Sequence, residues 1–426
     1  MQLYAGAGSG TICFSSELFP LEGFMGVHDA PTARILMMEC VRRAAIVSME
    51  LVMLPPEYID EIKSVVSRIT KTPYEHVWVH TTHAITTPHA PHAPMGMGGV
   101  ALEISAEGKK NLDAKMALYH SAVISAVEEA AAAAAESFRP AHMGVGSAKS
   151  EISVNRDVET PFGWWIGRNP NGKTDPTVTL LWFTGEDGKP IALMMSAGIK
   201  PCAIDNSQMQ ENRRLVSSDI PGLACRLISE KLGVPCLFFM GAAGDQVPVE
   251  QAMYDEVLPD GTVHTVDLGV EAGLEIVDRL GQRLASGVLE AIDKVKNAQA
   301  PEIRFAETAV TWDGKGRMPM KPRKTAQFVS DRRVTVDCRI ITIGDVALVG
   351  LKPEINAVTA AHLFRNSAYG CTILISMVDG GQKYMPDAAA YENITWESQS
   401  SMLMPGAAEA WAEAAVEQLR KLKQEQ

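Results

Sequence analysis

The sequence predicts an α/β fold in which a mixed central β-sheet is flanked by helices. Short apolar, β-branched runs bounded by turn residues alternate along the chain with longer segments in which apolar residues recur at helical spacing. Tight-turn signals at 185–190 and 343–345 would join neighbouring strands as hairpins. The alternation favours layered α/β packing, and the hairpins make the sheet mixed rather than purely parallel.

The predicted strands are the short apolar runs. A run of this length with flanking turn residues is typical of a buried strand. The runs are 43–54, 76–83, 177–184, 190–198, 234–241, 333–351 and 371–378.

The predicted helices are the segments with helical apolar spacing and charges on the opposite face. The longest contains a run of alanines. These segments are 56–69, 107–137, 219–232, 269–297, 354–366 and 406–424.

The chain is expected to form one domain over residues 1–426, because no repeat, heptad pattern or Pro/Ser-rich linker divides it. Residues 298–335 are the most irregular stretch and are predicted to form an insertion or a surface flap. Its basic run, residues 317–324, is interpreted either as a solvated loop or as a lid over an anionic substrate.

Composition narrows the classes of partner. A net charge of −12 and a pI near 5.4 argue against nucleic-acid binding and against a polybasic membrane anchor, which leaves a small-molecule substrate. No apolar run reaches the roughly 18 residues of a membrane span, and the first residues, MQLYAGAGSGTICF, lack the features of a signal peptide. We therefore expect a cytoplasmic protein with reduced cysteines, and homo-oligomer formation is left open.

Five of the ten histidines cluster in one segment. His83 lies where a predicted strand, VWVHTTH, ends, and ligands gather at strand ends in open α/β sheets. His89 and His92 follow in a Pro/Ala/Gly-rich loop, PHAPHAPMGMGG. The cluster is interpreted either as a metal or proton-transfer site or as a flexible loop without ligands.

Other polar residues also follow predicted strands. Asp245 ends the small-residue turn GAAGD, and Glu354 ends VGLKPE. The loop DGGQKYMPDAAAYE carries Tyr384. Glu354 is interpreted equally well as a first-turn acid of the next helix.

Taken together, several motifs resemble the amino-terminal catalytic domain of the neutral/alkaline ceramidase family, in order and spacing, over nearly the whole chain. They are GVHDAPTARIL (26–36), the Thr82–Pro88 segment, VNRD (154–157), SSDIPG (217–222), GAAGD (241–245), GLKPE (350–354) and YMP…YE (384–392).

The resemblance implies that domain's fold and a zinc ion that activates water to cleave an amide. It also implies that His83, Glu354 and Tyr384 are metal ligands and that Arg156 binds the substrate. One departure is clear. Lys200 stands where the family has its second zinc histidine, and a protonated lysine cannot be a ligand.

Two alternatives follow for the positive centre. Either Zn²⁺ or another divalent metal is retained, with His89 or His92 completing the ligand set, or the ammonium of Lys200 replaces the metal among Glu354, Asp245 and Tyr384. In the second case burial is expected to lower the pKa of Lys200 enough for acid/base work.

The predicted function is hydrolysis of a non-peptide C–N bond in a small polar substrate, with water activated by the metal or by Lys200. Tyr384 would stabilise the oxyanion, Arg156 would anchor the substrate, and Asp219 and Trp164 would line the pocket. The alternatives are a metal-free lyase or isomerase that uses Lys200 and Tyr384, and a ligand-binding protein without catalysis.

Overall fold

The computed structural model describes residues 2–92, 105–205, 214–300 and 302–425. Residues 93–99 of the predicted histidine-containing loop therefore lie outside the described residues. The strands and helices of the structure confirm the mixed α/β architecture predicted from the sequence.

The strands are numbered in chain order. They are β1 Leu3–Thr11, β2 Phe24–Val27, β3 Thr32–Cys40, β4 Arg42–Met49, β5 Val77–Thr81, β6 Arg139–Lys149, β7 Ser153–Thr160, β8 Gly163–Asn169, β9 Thr177–Gly185, β10 Pro190–Ala197, β11 Arg214–Val216, β12 Cys236–Met240, β13 Gln246–Pro248, β14 Met253–Val257, β15 Val263–Asp267, β16 Lys296–Ala298, β17 Ile303–Lys315, β18 Ser330–Ile343, β19 Val346–Gly350, β20 Glu354–Ile355, β21 Cys371–Ile375 and β22 Tyr384–Met385.

The helices are numbered in the same way. They are α1 Pro56–Thr70, α2 Ala106–Glu136, α3 Asp219–Leu232, α4 Val270–Ile292, α5 Ala357–Asn366, α6 Ala388–Glu392, α7 Trp396–Ser400 and α8 Ala407–Gln424.

Two mixed sheets form the centre of the molecule. The nine-stranded sheet has the order β12-β10-β9-β6-β1-β3-β4-β5, with β16 added beside β6, and the four-stranded sheet has the order β17-β18-β19-β21. Three neighbouring pairs are parallel, namely β4 with β5, β10 with β12, and β19 with β21. The carboxyl ends of such strands are where the chain can assemble a site from distant segments.

The sheets pack face to face, and helices cover their outer faces. Large apolar side chains such as Phe183 and Phe239 of the larger sheet meet Ile341 and Leu348 of the smaller one in a single buried cluster. Helices α1 and α2 cover one part of the larger sheet, and α3 and α4 cover another. Helices α5 and α8 cover the smaller sheet, so the order of layers is helix, sheet, sheet, helix.

The alanine run of α2 lies directly on glycines of β1. A Cβ atom placed on Gly6, Gly8 or Gly10 would collide with the backbone of α2, at the carbonyls of Ala134, Ala130 and Ala126 respectively. The alternating glycines and the small face of the helix therefore allow the helix backbone to approach the strand closely.

Two sequence predictions differ from the structure. The stretch 298–335 contains the long strand β17 and the start of β18 rather than only irregular chain, because the alternating exposed polar residues of β17 hid its strand pattern. Glu354 is not a first-turn acid, since it lies in the short strand β20, paired with Tyr384 of β22, and α5 begins at Ala357.

All seven cysteines are free, and five of them are buried. Within the parts of the chain that the structure describes, no helix combines the length and apolar character needed to cross a membrane. The expected cytoplasmic location stays a prediction.

Candidate active site

A pocket opens where the two sheets meet at the ends of β5, β19 and β21. The sheets are joined here by the backbone, since Asp379 N donates to Val79 O at 2.7 Å and Ser376 N donates to Met240 O at 2.8 Å. The pocket holds about 750 Å³, including its open mouth. Its walls include the apolar side chains of Val52, Met53 and Met377.

Four side chains form a continuous polar chain at the pocket. His83, Glu354 and Tyr384 line it, and Lys200 lies buried behind Glu354 and Tyr384. His83 Nδ1 lies 2.9 Å from Glu354 Oε1, and Lys200 Nζ lies 2.8 Å from Glu354 Oε2. Lys200 Nζ also donates to Tyr384 OH at 3.0 Å. The parallel pairing of β20 with β22 holds Glu354 beside Tyr384. The structure thus brings together four residues that the sequence placed on separate strand ends.

Glu354 and Lys200 each stabilise the charged form of the other. Burial alone would raise the pKa of Glu354, but the Lys200 ammonium and the His83 imidazole lower it to about 2. Burial and the Arg156 guanidinium act to lower the pKa of Lys200, yet Glu354 and Tyr384 raise it above its ordinary value. The contacts of Lys200 therefore favour its charged form. The expectation that burial would lower its pKa enough for acid/base work is wrong, because its partners outweigh burial.

Arg156 lies behind Tyr384 rather than in the wall of the pocket. Its Nε donates to Glu397 Oε1 at 2.6 Å, and its guanidinium carbon lies 5.3 Å from the centre of the Tyr384 ring and 5.1 Å from that of Trp396. Arg156 is buried, and a carboxylate of the protein already occupies its Nε. Its contacts are those of a residue that orients the Tyr384 ring.

Asp245 and Asp219 hold the backbone of the loops around the site. Asp245 accepts from Ala357 N at 3.0 Å and from the amides of Asn155 and Gln246. Asp219 accepts from the N–H groups of Ala203 and Ile204, just after Lys200. Burial outweighs these hydrogen bonds and raises the pKa of each carboxyl to about 7.

The remaining predicted residues lie at or beyond the rim. His89 lines the mouth, where its backbone N and its Nδ1 lie 2.9 and 3.2 Å from Glu22 Oε2. Trp164, on β8, is not among the residues that line this pocket. The aromatic wall is Trp396, whose ring meets that of Tyr384 edge-on at 5.3 Å.

Sequence reasoning missed Trp396, Glu397 and Lys383 as parts of the site, and it considered Arg317 only as the start of a basic run. Trp396 and Glu397 begin the short helix α7, which lacks both helical periodicity and a preceding strand. The one signal that could have found Lys383 is its position directly before Tyr384.

Left-handed backbone conformations gather at this pocket. His83, Met377 and Lys383 line it with φ values of 58°, 59° and 57°. Non-glycine residues adopt such values uncommonly, and strained positions of this kind concentrate at functional sites, where they aim side chains.

The described side chains do not fit the zinc centre that the resemblance implies. His83, Glu354 and Tyr384 are a possible donor set, but the Lys200 ammonium lies within 3.0 Å of both Glu354 and Tyr384. A cation held there repels a metal ion and occupies the donor atoms. Among the residues that the structure describes, no group of three or more His, Cys, Asp or Glu side chains could hold a metal.

Comparison of the structure with solved structures gives clear neighbours. A ceramidase complexed with C2 matches with a TM-score of 0.72 at 13% identity, over 100% of this chain and 76% of that chain. The neutral ceramidase from Pseudomonas aeruginosa matches with a TM-score of 0.70 at 14% identity, over 100% of this chain and 75% of that one.

The fold is similar to that of ceramidases. The resemblance seen in the sequence motifs is thereby confirmed at the level of the fold. No family model and no curated protein matches the sequence.

Proposed function

We propose that this protein is a hydrolase that cleaves a non-peptide C–N bond, an amide or a lactam, and that the ammonium of Lys200 supplies the positive charge. The observation that carries the proposal is the position of Lys200 Nζ, 2.8 Å from Glu354 Oε2 and 3.0 Å from Tyr384 OH, buried directly behind two residues that line an open pocket. The ceramidase fold of the structural neighbours supports the choice of an amide-type bond.

His83 is the general base in this mechanism. Its Nδ1 faces Glu354, whose low pKa keeps the carboxylate ionised, so the imidazole holds its proton on Nδ1 and presents Nε2 as the acceptor. Nε2 takes a proton from a water molecule as the water oxygen attacks the carbonyl carbon. The same proton is then delivered to the departing nitrogen as the C–N bond breaks.

Tyr384 stabilises the oxyanion. Its hydroxyl oxygen accepts a hydrogen bond from Lys200, so its own proton is free to be donated to the carbonyl oxygen as negative charge develops there. The Lys200 ammonium makes the Tyr384 hydroxyl a stronger hydrogen-bond donor, because it stabilises negative charge on the phenol oxygen. Arg156 packs on the ring of Tyr384 and acts as a positioning residue.

The test combines a metal analysis with two variants. The purified protein is screened against N-acyl amides, lactams and esters with and without chelator, and its metal content is measured by mass spectrometry. Hydrolysis that survives chelation, and that falls about a hundredfold or more in Lys200→Met and Tyr384→Phe, supports the proposal. Lys352→Met, which removes a half-buried lysine that pairs with Asp337 outside the pocket, is the matched control.

Other outcomes separate the alternatives. Stoichiometric metal, together with hydrolysis abolished by chelation, would contradict the role given to Lys200. Tight binding of a ligand without any turnover would indicate a binding protein that keeps the scaffold but lacks catalysis.

A further inference from the structure

Two cationic side chains lie at the mouth of the pocket. Arg317 and Lys383 both line the pocket and both are exposed. The ion pairs found among the described side chains include neither of them.

Counting the charged groups that face the pocket leaves an excess of positive charge. Glu354 is balanced by Lys200, and both are 1% exposed. Glu22 contacts His89 at the rim. Arg317 and Lys383 remain, and both side chains line the same opening. Two cations that line one opening favour the binding of an anionic group of a ligand there.

The backbone around Arg317 and at Lys383 is fixed by hydrogen bonds. On either side of Arg317, Lys315 N donates to Met402 O at 2.9 Å and Met318 N donates to Gln399 O at 3.0 Å. Lys383 O accepts from Glu354 N at 2.8 Å, and the residue has a φ of 57°. The strand that presents Tyr384 therefore also fixes the backbone of Lys383, so both cationic side chains start from ordered backbone next to the polar chain.

We propose that the substrate is an amide with a carboxylate on one side and an apolar acyl group on the other, an N-acyl amino acid in chemical class. Arg317 and Lys383 bind the carboxylate, and Val52, Met53, Ile85 and Met377 contact the acyl group. The amide carbonyl then lies above Tyr384, within reach of His83. This inference deepens the proposed hydrolysis and rests on it for the position of the amide.

The experiment measures binding and does not require turnover. Titration calorimetry compares N-octanoylglycine with the neutral N-octanoylglycinamide, on the wild type and on Arg317→Gln, Lys383→Gln and the double variant. We expect each single variant to weaken binding of N-octanoylglycine about tenfold and the double variant about a hundredfold, with little change for the amide. Added salt should weaken only the binding of the acid.

Lys324→Gln is the matched control, because Lys324 is an exposed cation of the same basic run that does not line the pocket. Equal affinity for the acid and the amide, or equal losses in the control, would overturn the inference. Tighter binding of octyl phosphate with the same dependence on both cations would assign the anion to a phosphate and overturn the carboxylate.

The two proposals fail separately. Charge-dependent binding of N-octanoylglycine without hydrolysis of any amide removes the hydrolase and leaves the anion site. Hydrolysis of neutral amides, with binding unaffected by Arg317 and Lys383, removes the anion site and leaves the hydrolase.

Discussion

At the scale of the residue, Lys200 places a buried positive charge beside the pocket. Its ammonium is fully buried and contacts one carboxylate and one phenol, which is the environment that keeps a lysine charged. Replacing one member of a buried ion pair is more disruptive than replacing both, because the remaining charge is left without a partner. The identity of this single side chain therefore decides between an ammonium centre and a metal centre.

Lys200→His is expected to create a zinc site. The change removes the cation that repels a metal and adds an imidazole next to Glu354 and Tyr384, giving four candidate donors together with His83. Equilibrium dialysis followed by metal analysis should show about one zinc per chain in the variant and much less in the wild type.

Lys200→Met controls for the loss of the lysine alone, since methionine removes the charge without adding an imidazole. A second control is Lys200→His combined with His83→Ala, which should bind zinc more weakly than Lys200→His. Equal zinc content in wild type, Lys200→His and Lys200→Met would place Lys200 away from the donor atoms and contradict the assignment.

At the scale of the element, the sequence predicted segments with strong periodicity far better than segments with mixed patterns. The helix predicted over 107–137 is α2, Ala106–Glu136, because its apolar face repeats over many turns. Strand β1 was missed, because its alternating glycines, Gly6, Gly8 and Gly10, weaken a strand pattern when the helix that covers them is unknown.

In the candidate site too, the sequence predicted residues that carry a strong local pattern and missed those that do not. His83, Glu354 and Tyr384 were found because polar residues that follow buried strands stand out locally and match a motif. Lys383 and Trp396 carry no such local signal, since their place in the pocket depends on how distant loops meet. The role of Glu354 could not be decided from its neighbours in sequence, because its partner strand, β22, lies about thirty residues later.

The contact between α2 and β1 gives a stability prediction. Gly8→Ala places a Cβ against the backbone carbonyl of Ala130, which cannot move without displacing the helix, so we expect a loss of about 1–3 kcal/mol or more in the free energy of unfolding. Gly26→Ala is the matched control, because the nearest atom to its Cβ is Leu215 Cδ2 at an ordinary 3.8 Å. Urea unfolding measures both, and equal midpoints would show that α2 does not lie as close to β1 as described.

At the scale of the whole molecule, the larger sheet bends until its two edges approach each other. Edge strand β12 is bonded to the opposite end of the sheet, since Met240 N donates to His80 Nε2 at 3.1 Å and Ser48 Oγ donates to Phe238 O at 2.6 Å. The smaller sheet joins at the same place through Ser376 N and Met240 O. The strand ends that build the pocket are thus held by one junction, so its stability and the geometry of the site are linked.

His80 makes this junction depend on pH. Burial lowers the pKa of His80 to about 3, so the folded protein keeps the imidazole neutral as the acceptor for Met240 N while the unfolded chain binds a proton below pH 6.5. Stability from this group is therefore present above pH 6.5 and is lost as the pH falls toward 3, by at most about 1.4 kcal/mol per pH unit. Asp219 and Asp245, whose pKa values are raised to about 7, act in the opposite direction, so the test must compare variants rather than read a single curve.

His80→Gln isolates the contribution of His80, because the glutamine oxygen can accept from Met240 N but does not titrate. The free energy of unfolding of the wild type and of His80→Gln is measured by urea denaturation at each pH. The wild-type value minus the variant value should fall as the pH is lowered from 6.5 to 3. His264→Gln, on exposed β15, should give a nearly flat difference. A flat difference for His80→Gln as well would mean that the folded protein can protonate His80, and hence that the junction which holds the two sheets together is open to water.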